Sequence, residues 1–155
     1  LKNGGCEIEI NQQCSKGQKN QIINYYEENK IINNVFEFNK NISEIMLSTD
    51  LAISRCGAST TAELVYTTTP FIAVPLPASI DNHQHINAKY YEKKGCCLLL
   101  EQKNFNTKNL FNLIKQLIND KKKFQNICTN MKKNNFMNAY DNIDKKIKEF
   151  IKNEN

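Results

Sequence analysis

The chain has 155 residues, of which 40% are apolar and 24% charged, figures that fit one globular, soluble domain with enough bulk for a core. No apolar run approaches the roughly 20 residues of a membrane-spanning helix. The formal net charge of +5 arises from 21 Lys and Arg against 16 Asp and Glu. Arg55 is the sole arginine, and the lysines gather toward the C-terminal third without an aromatic stacking platform, which argues against a nucleic-acid partner and leaves an anionic membrane surface as the more natural one.

The opening segment, LKNGGCEIEI, has no initiator Met and enters a strand-like run almost at once, so an N-terminal truncation of a larger protein is expected. Strands are predicted over 6–10, 35–38, 50–54, 71–74 and 97–100, with helices over 16–28, 42–47 and 82–94, the last stopped by Gly95. Beyond Asn106 the pattern is helical. Leu110, Leu113, Ile114, Leu117 and Ile118 make one apolar stripe, Phe124, Ile127, Cys128 and Met131 a second, and Tyr140, Ile143, Ile147, Phe150 and Ile151 a third. Alternating strands and helices followed by a helical third predict an α/β domain: a Rossmann-like parallel sheet flanked by helices, forming one domain over 1–155.

The six cysteines, at positions 6, 14, 56, 96, 97 and 128, form no C-x-x-C pair, and the histidines are His83 and His85, so no metal site is expected. Reduced core thiols are the simplest account. Cys14 and Cys56 fall in predicted loops with no His or Asp partner evident, and neither is expected to act as a nucleophile.

The most informative stretch is DLAISRCGASTTAE, residues 50–63, in which a short apolar strand runs into a small-residue turn and then a helix carrying Glu63. Two readings fit it. Thr60-x-x-Glu63 matches a capping box, with hydroxyl and carboxylate each satisfying the other's backbone N–H. Alternatively, Gly57 removes bulk at the bend while Ser59, Thr60 and Thr61 set hydroxyls beside free helix N–H groups, a cradle for phosphate. A second βα unit follows, with Pro70 and Pro75 bounding an apolar strand and Asp81-Asn82-His83-Gln84 opening a helix. These side chains can donate and accept as a sugar requires, and two consecutive ligand-type turns favour the cradle.

With these motifs the chain resembles the C-terminal domain of the MurG family of glycosyltransferase family 28, from about residue 5 to 150. The resemblance is carried by Arg55-Cys56-Gly57-Ala58-Ser59-Thr60 with Glu63, the paired prolines, Asp81-Asn82-His83-Gln84 followed by Asn87-Ala88, and Gly95 before a strand ending near Glu101. In NQQCSKG, Gln13 matches the family's His-Gln-Ser/Thr-Gly turn, but Gln12 replaces its His and Ser15 its Gly.

The resemblance implies the C-terminal half of a two-domain GT-B enzyme, an inverting N-acetylglucosaminyltransferase that converts lipid I to lipid II in peptidoglycan synthesis. By it, Glu63 binds the ribose hydroxyls of UDP. Gly57, Ala58, Ser59, Thr60, Thr61 and Ala62, introduced by Arg55, line the diphosphate and sugar. Phe38 offers backbone groups to uracil, and Gln84 with His83 meets the N-acetylglucosamine.

The donor UDP-N-acetylglucosamine (UDP-GlcNAc) is the small molecule implied, with no further cofactor. The undecaprenyl-linked muramyl-pentapeptide acceptor and any catalytic base belong to an N-terminal domain absent from this chain, so the fragment alone is expected to be inactive. A cytoplasmic protein, peripheral on the inner face of the plasma membrane, is implied. Two alternatives remain: the catalytic subunit of the eukaryotic dolichol-linked GlcNAc transferase, and a non-catalytic nucleotide-binding module.

Overall fold

The structure, a computed structural model, describes residues 7–135. The third helical stripe, Tyr140 to Ile151, lies outside the described residues. Contacts group the chain into two compact units that meet between Ile45 and Met46.

In the first unit, strands β1 (Glu9–Gln13) and β2 (Ile32–Phe36) pair in parallel across helix α1 (Lys19–Glu28), with Glu9 opposite Ile32 and Gln13 opposite Phe36. Both strands run through polar residues that the apolar letters alone did not mark. Asn34 Nδ2 donates to Asn11 Oδ1 at 2.9 Å across the ladder, a cross-strand pair that suits an exposed sheet face. Helix α1 starts three residues later than predicted, because Gly17 takes a left-handed φ of 88° in the turn before it. Helix α2 (Ile42–Leu47) matches its predicted bounds.

The second unit is a three-stranded parallel sheet in the order β3 (Ala52–Ser54), β4 (Phe71–Ala73), β5 (Cys97–Leu99), with helices α3 (Ala58–Tyr66) and α4 (His83–Lys93) as the crossovers. The central strand is buried on both faces, as a parallel sheet demands. Phe71 and Ala73 join Leu64, Val65, Ala88, Tyr91, Leu117, Ile127 and Met131 in one core, whereas Ile72, Val74 and Leu100 pack with Leu110, Leu113 and Ile114 in a second. This alternation is the strand period of two expressed in packing. Each fully buried side chain of this size contributes about 1.5–3 kcal/mol.

Helices α5 (Thr107–Asn119) and α6 (Lys121–Lys133) supply the helical third within the described residues. Asn106 accepts from the Asn109 N–H at 2.9 Å and Asp120 from the Lys123 N–H at 2.8 Å, so each helix has a side-chain N-cap. Asp120 therefore both ends α5 and starts α6. Helix α4 ends at Gly95, whose φ of +69° and lack of Cβ both matter: a methyl there would meet Asn130 Nδ2 at 2.6 Å.

Candidate functional site: the turn after β3

The second unit gathers its polar groups where parallel strands end, the edge at which α/β proteins place ligands. Residues 55–57 carry the chain from β3 to α3, and the Gly57 carbonyl accepts the first helical bond, from the Thr61 N–H at 3.0 Å. Helix α3 starts at Ala58 with Gly57 as its N-cap, and no side chain caps it. Thr60 is therefore inside the first turn and cannot serve as the cap of a Thr60-x-x-Glu63 box. Helix geometry leaves the N–H groups of Ala58, Ser59 and Thr60 without intrahelical acceptors, and they sit at the positive end of the helix dipole.

Gly57 adopts φ −63° and ψ 148°, a conformation open to any residue, and a Cβ added there would meet nothing within 4 Å. The bend thus does not require glycine, contrary to the sequence expectation. The open space in front of it is the remaining physical reason for a residue without a side chain.

Ala58 and Ser59 are exposed, and Thr60, Ala62 and Glu63 are half-buried. Thr61 is different: its side chain is buried, and its hydroxyl donates to the Gly57 and Ala58 carbonyls at 2.9 and 3.1 Å. It secures the first turn from within. Among the described residues no hydrogen bond or ion pair engages the Glu63 carboxylate.

Gln84, in the first turn of α4, reaches back to this turn. Its Oε1 accepts from the Cys56 N–H at 3.3 Å and from the Leu76 N–H at 3.0 Å, joining the two βα turns through one oxygen. Its amide NH₂ makes no hydrogen bond to the described residues. Asn87, one turn further along α4, donates from Nδ2 to the Cys56 carbonyl at 3.0 Å. The Gln84 N–H in turn donates to Ser79 Oγ at 3.3 Å.

His83 is exposed, and its Nδ1 lies 2.6 Å from the Ile80 carbonyl. A carbonyl only accepts, so Nδ1 carries the proton and Nε2 is an acceptor in the neutral ring. The preceding Asp81 and Asn82 both take left-handed φ values, 48° and 56°, backbone strain of the kind that collects at binding turns. Also on α4, His85 Nδ1 lies 3.3 Å from Oε1 of Glu101, which follows β5.

Cys56 is fully buried inside this network. Burial outweighs the nearby Arg55 charge and pushes its thiol up to about 11, so it stays protonated near neutrality. Cys96 and Cys97 are buried as well, and burial raises both.

The structure thus joins the residue 55–57 turn to Gln84 by one direct hydrogen bond. Phe38 belongs to the first unit, exposed two residues beyond the end of β2. The NQQ residues, read as part of a turn from the sequence, end strand β1: Gln12 Oε1 accepts from the Tyr26 hydroxyl, and Gln13 Nε2 donates to the Glu37 carbonyl at 3.1 Å. Sequence reasoning assigned no structural task to Asn87, Ser79 or Gln102. The spacing of Gln84 and Asn87, three apart and hence on one helical face, was the available signal.

Similarity to known proteins bears on the family and the fold. The model of the glycosyltransferase family 28 C-terminal domain matches residues 1–147. A UDP-N-acetylglucosamine--N-acetylmuramyl-(pentapeptide) pyrophosphoryl-undecaprenol N-acetylglucosamine transferase from Pelagibacter ubique (strain HTCC1062) is 40% identical, aligned over 100% of this chain and 45% of its own length. The protein of the same name from Wolbachia pipientis subsp. Culex pipiens (strain wPip) is 32% identical over 94% of this chain and 41% of its own. This chain therefore spans less than half the length of these curated relatives.

Among solved structures, Acinetobacter baumannii MurG superposes with a TM-score of 0.73 at 23% identity, covering 82% of this chain and 39% of that one; it supports the fold, that of the C-terminal half of a GT-B enzyme. The chain belongs to glycosyltransferase family 28, as its C-terminal domain.

Proposed function

We propose that this chain is the donor-binding part of a UDP-GlcNAc-dependent N-acetylglucosaminyltransferase acting on the lipid-linked muramyl-pentapeptide precursor of peptidoglycan. The observation that carries the reading is the union of the turn after β3 with Gln84, in a chain aligned end to end with transferases that bear this donor and acceptor in their names. The Gly57 N–H and the first N–H groups of α3 receive the diphosphate. They also stabilise the negative charge that grows on UDP as it leaves. Glu63, with no partner among the described residues, accepts from the vicinal ribose hydroxyls. Gln84 has its oxygen committed to two backbone amides and its NH₂ unengaged among the described residues, so it donates to a sugar hydroxyl, with His83 Nε2 as a neighbouring acceptor.

Arg55, Ala58, Ser59, Thr60 and Ala62 frame this donor site, and Thr61 shapes it from inside the helix. The acceptor and catalytic base come from the remainder of the longer relatives, and this chain alone transfers nothing. Work at an anionic cytoplasmic membrane surface follows from a lipid-linked acceptor; among the described residues no helix is long and apolar enough to cross a membrane.

Calorimetric titration tests the reading. UDP-GlcNAc and UDP are expected to bind, and ATP to bind far more weakly. Equal binding of ATP would favour a general nucleotide module instead, and transfer of N-acetylglucosamine to lipid acceptor by this chain alone would contradict the division of labour.

A further inference from the structure

We infer that Asn87 is a positioning residue for the donor diphosphate: by holding the Cys56 carbonyl it turns the next N–H, that of Gly57, toward the ligand. The inference rests on the donor-site reading above and concerns a residue that touches no substrate itself.

The argument starts from the peptide unit. The Cys56–Gly57 bond is trans, and in a planar trans peptide the C=O and N–H point in opposite directions. Asn87 Nδ2, on α4, lies 3.0 Å from the Cys56 oxygen. The carbonyl therefore faces α4 and the Gly57 N–H faces away from it. That N–H makes no hydrogen bond within the described residues, and the space about Gly57 is open.

The preceding peptide, Arg55–Cys56, is held from the same helix. Gln84 Oε1 holds the Cys56 N–H at 3.3 Å, so Gln84 and Asn87 grip Cys56 by both of its backbone groups from one face of α4. Without Asn87 the carbonyl loses its one side-chain donor. A peptide flip would then place an oxygen, rather than an N–H, before the diphosphate. An anion meets a donor in the first state and a repelling lone pair in the second.

Titration of the chain and its variants with UDP-GlcNAc and with uridine, which lacks the diphosphate, separates positioning from simple structural support. Asn87→Asp keeps the shape but cannot donate, and Asn87→Leu removes the group; thermal unfolding checks that each folds. Both variants are expected to bind UDP-GlcNAc about tenfold more weakly, the scale of one charge-assisted hydrogen bond, with uridine changed less than about twofold. In the unaltered chain, the Gly57 amide resonance is expected to move on saturation with UDP.

Wild-type affinity for UDP-GlcNAc in a folded variant, an equal loss for uridine, or a Gly57 amide that UDP leaves unmoved would overturn the inference. Failure of the unaltered chain to bind UDP-GlcNAc at all is a distinct result, which would overturn the donor-site reading beneath it.

Discussion

Arg55 Nη1 lies 2.6 Å from Gln102 Oε1, a partner 47 positions later in the chain, and 3.1 Å from the Val74 carbonyl. One guanidinium thus ties the carboxyl ends of β3 and β4 to the turn that follows β5. Its position is exposed, which limits the energy involved. Arg55→Ala is expected to cost about 1 kcal/mol in urea unfolding. It should also weaken UDP-GlcNAc binding, because the turn that begins at Arg55 loses its tether to β4.

Gly57 and Gly95 make a paired test of what a glycine is for. Gly57→Ala introduces a methyl into open space at an ordinary φ, so stability should hold or rise by about 0.4–1 kcal/mol, while UDP-GlcNAc affinity falls. Gly95→Ala places a methyl 2.6 Å from Asn130 Nδ2 at a left-handed φ and should lose more than about 1 kcal/mol of stability. Chemical denaturation and calorimetry on both variants check the contrast.

Glu63→Ala distinguishes a ligand from a cap. Loss of a charged hydrogen bond to ribose should weaken UDP binding by about 1.5–3 kcal/mol. Stability should change by less than about 0.5 kcal/mol, since the carboxylate bonds to none of the described residues. A stability loss near 1 kcal/mol with affinity spared would restore the capping role.

Alkaline pH should destabilise the fold. Burial raises Cys56 from 9.0 to about 11, and raises Cys96, Cys97, Cys128 and Tyr91 in the same direction. In the unfolded chain the thiols ionise first, so the folded state binds more protons and stability falls as pH rises. The Cys56 contribution is complete below its unfolded value of 9.0 and is lost as pH climbs toward 11. Unfolding free energies measured across that window should drop on the order of 2 kcal/mol from this thiol, with a shallower slope in Cys56→Ala.

Much of this was legible in the sequence, for identifiable reasons. Helices α2 and α5 and strands β3 to β5 follow apolar periodicity, because burial is what selects those letters, while α4 was marked by its stop at Gly95. Strands β1 and β2 were misplaced by a few residues because half of their ladder is asparagine and glutamine, whose pairing depends on a partner strand far away in sequence. The capping box failed for a related reason: the motif fits several registers, and only the backbone shows that α3 begins at Ala58. The 55–57 turn and Gln84 were both named from their places after consecutive strands. Their hydrogen bond, and the tasks of Asn87 and Arg55, depend on side-chain reach across 28 to 47 positions of chain, which no local pattern encodes.

The central claim is most directly tested by a crystal structure of the chain bound to UDP-GlcNAc. The account predicts the diphosphate against the Gly57 to Thr60 N–H groups, a Glu63 carboxylate oxygen within hydrogen-bond distance of the ribose hydroxyls, and the sugar beside the Gln84 amide. A nucleotide bound elsewhere, or Glu63 turned away from the ribose, would contradict it.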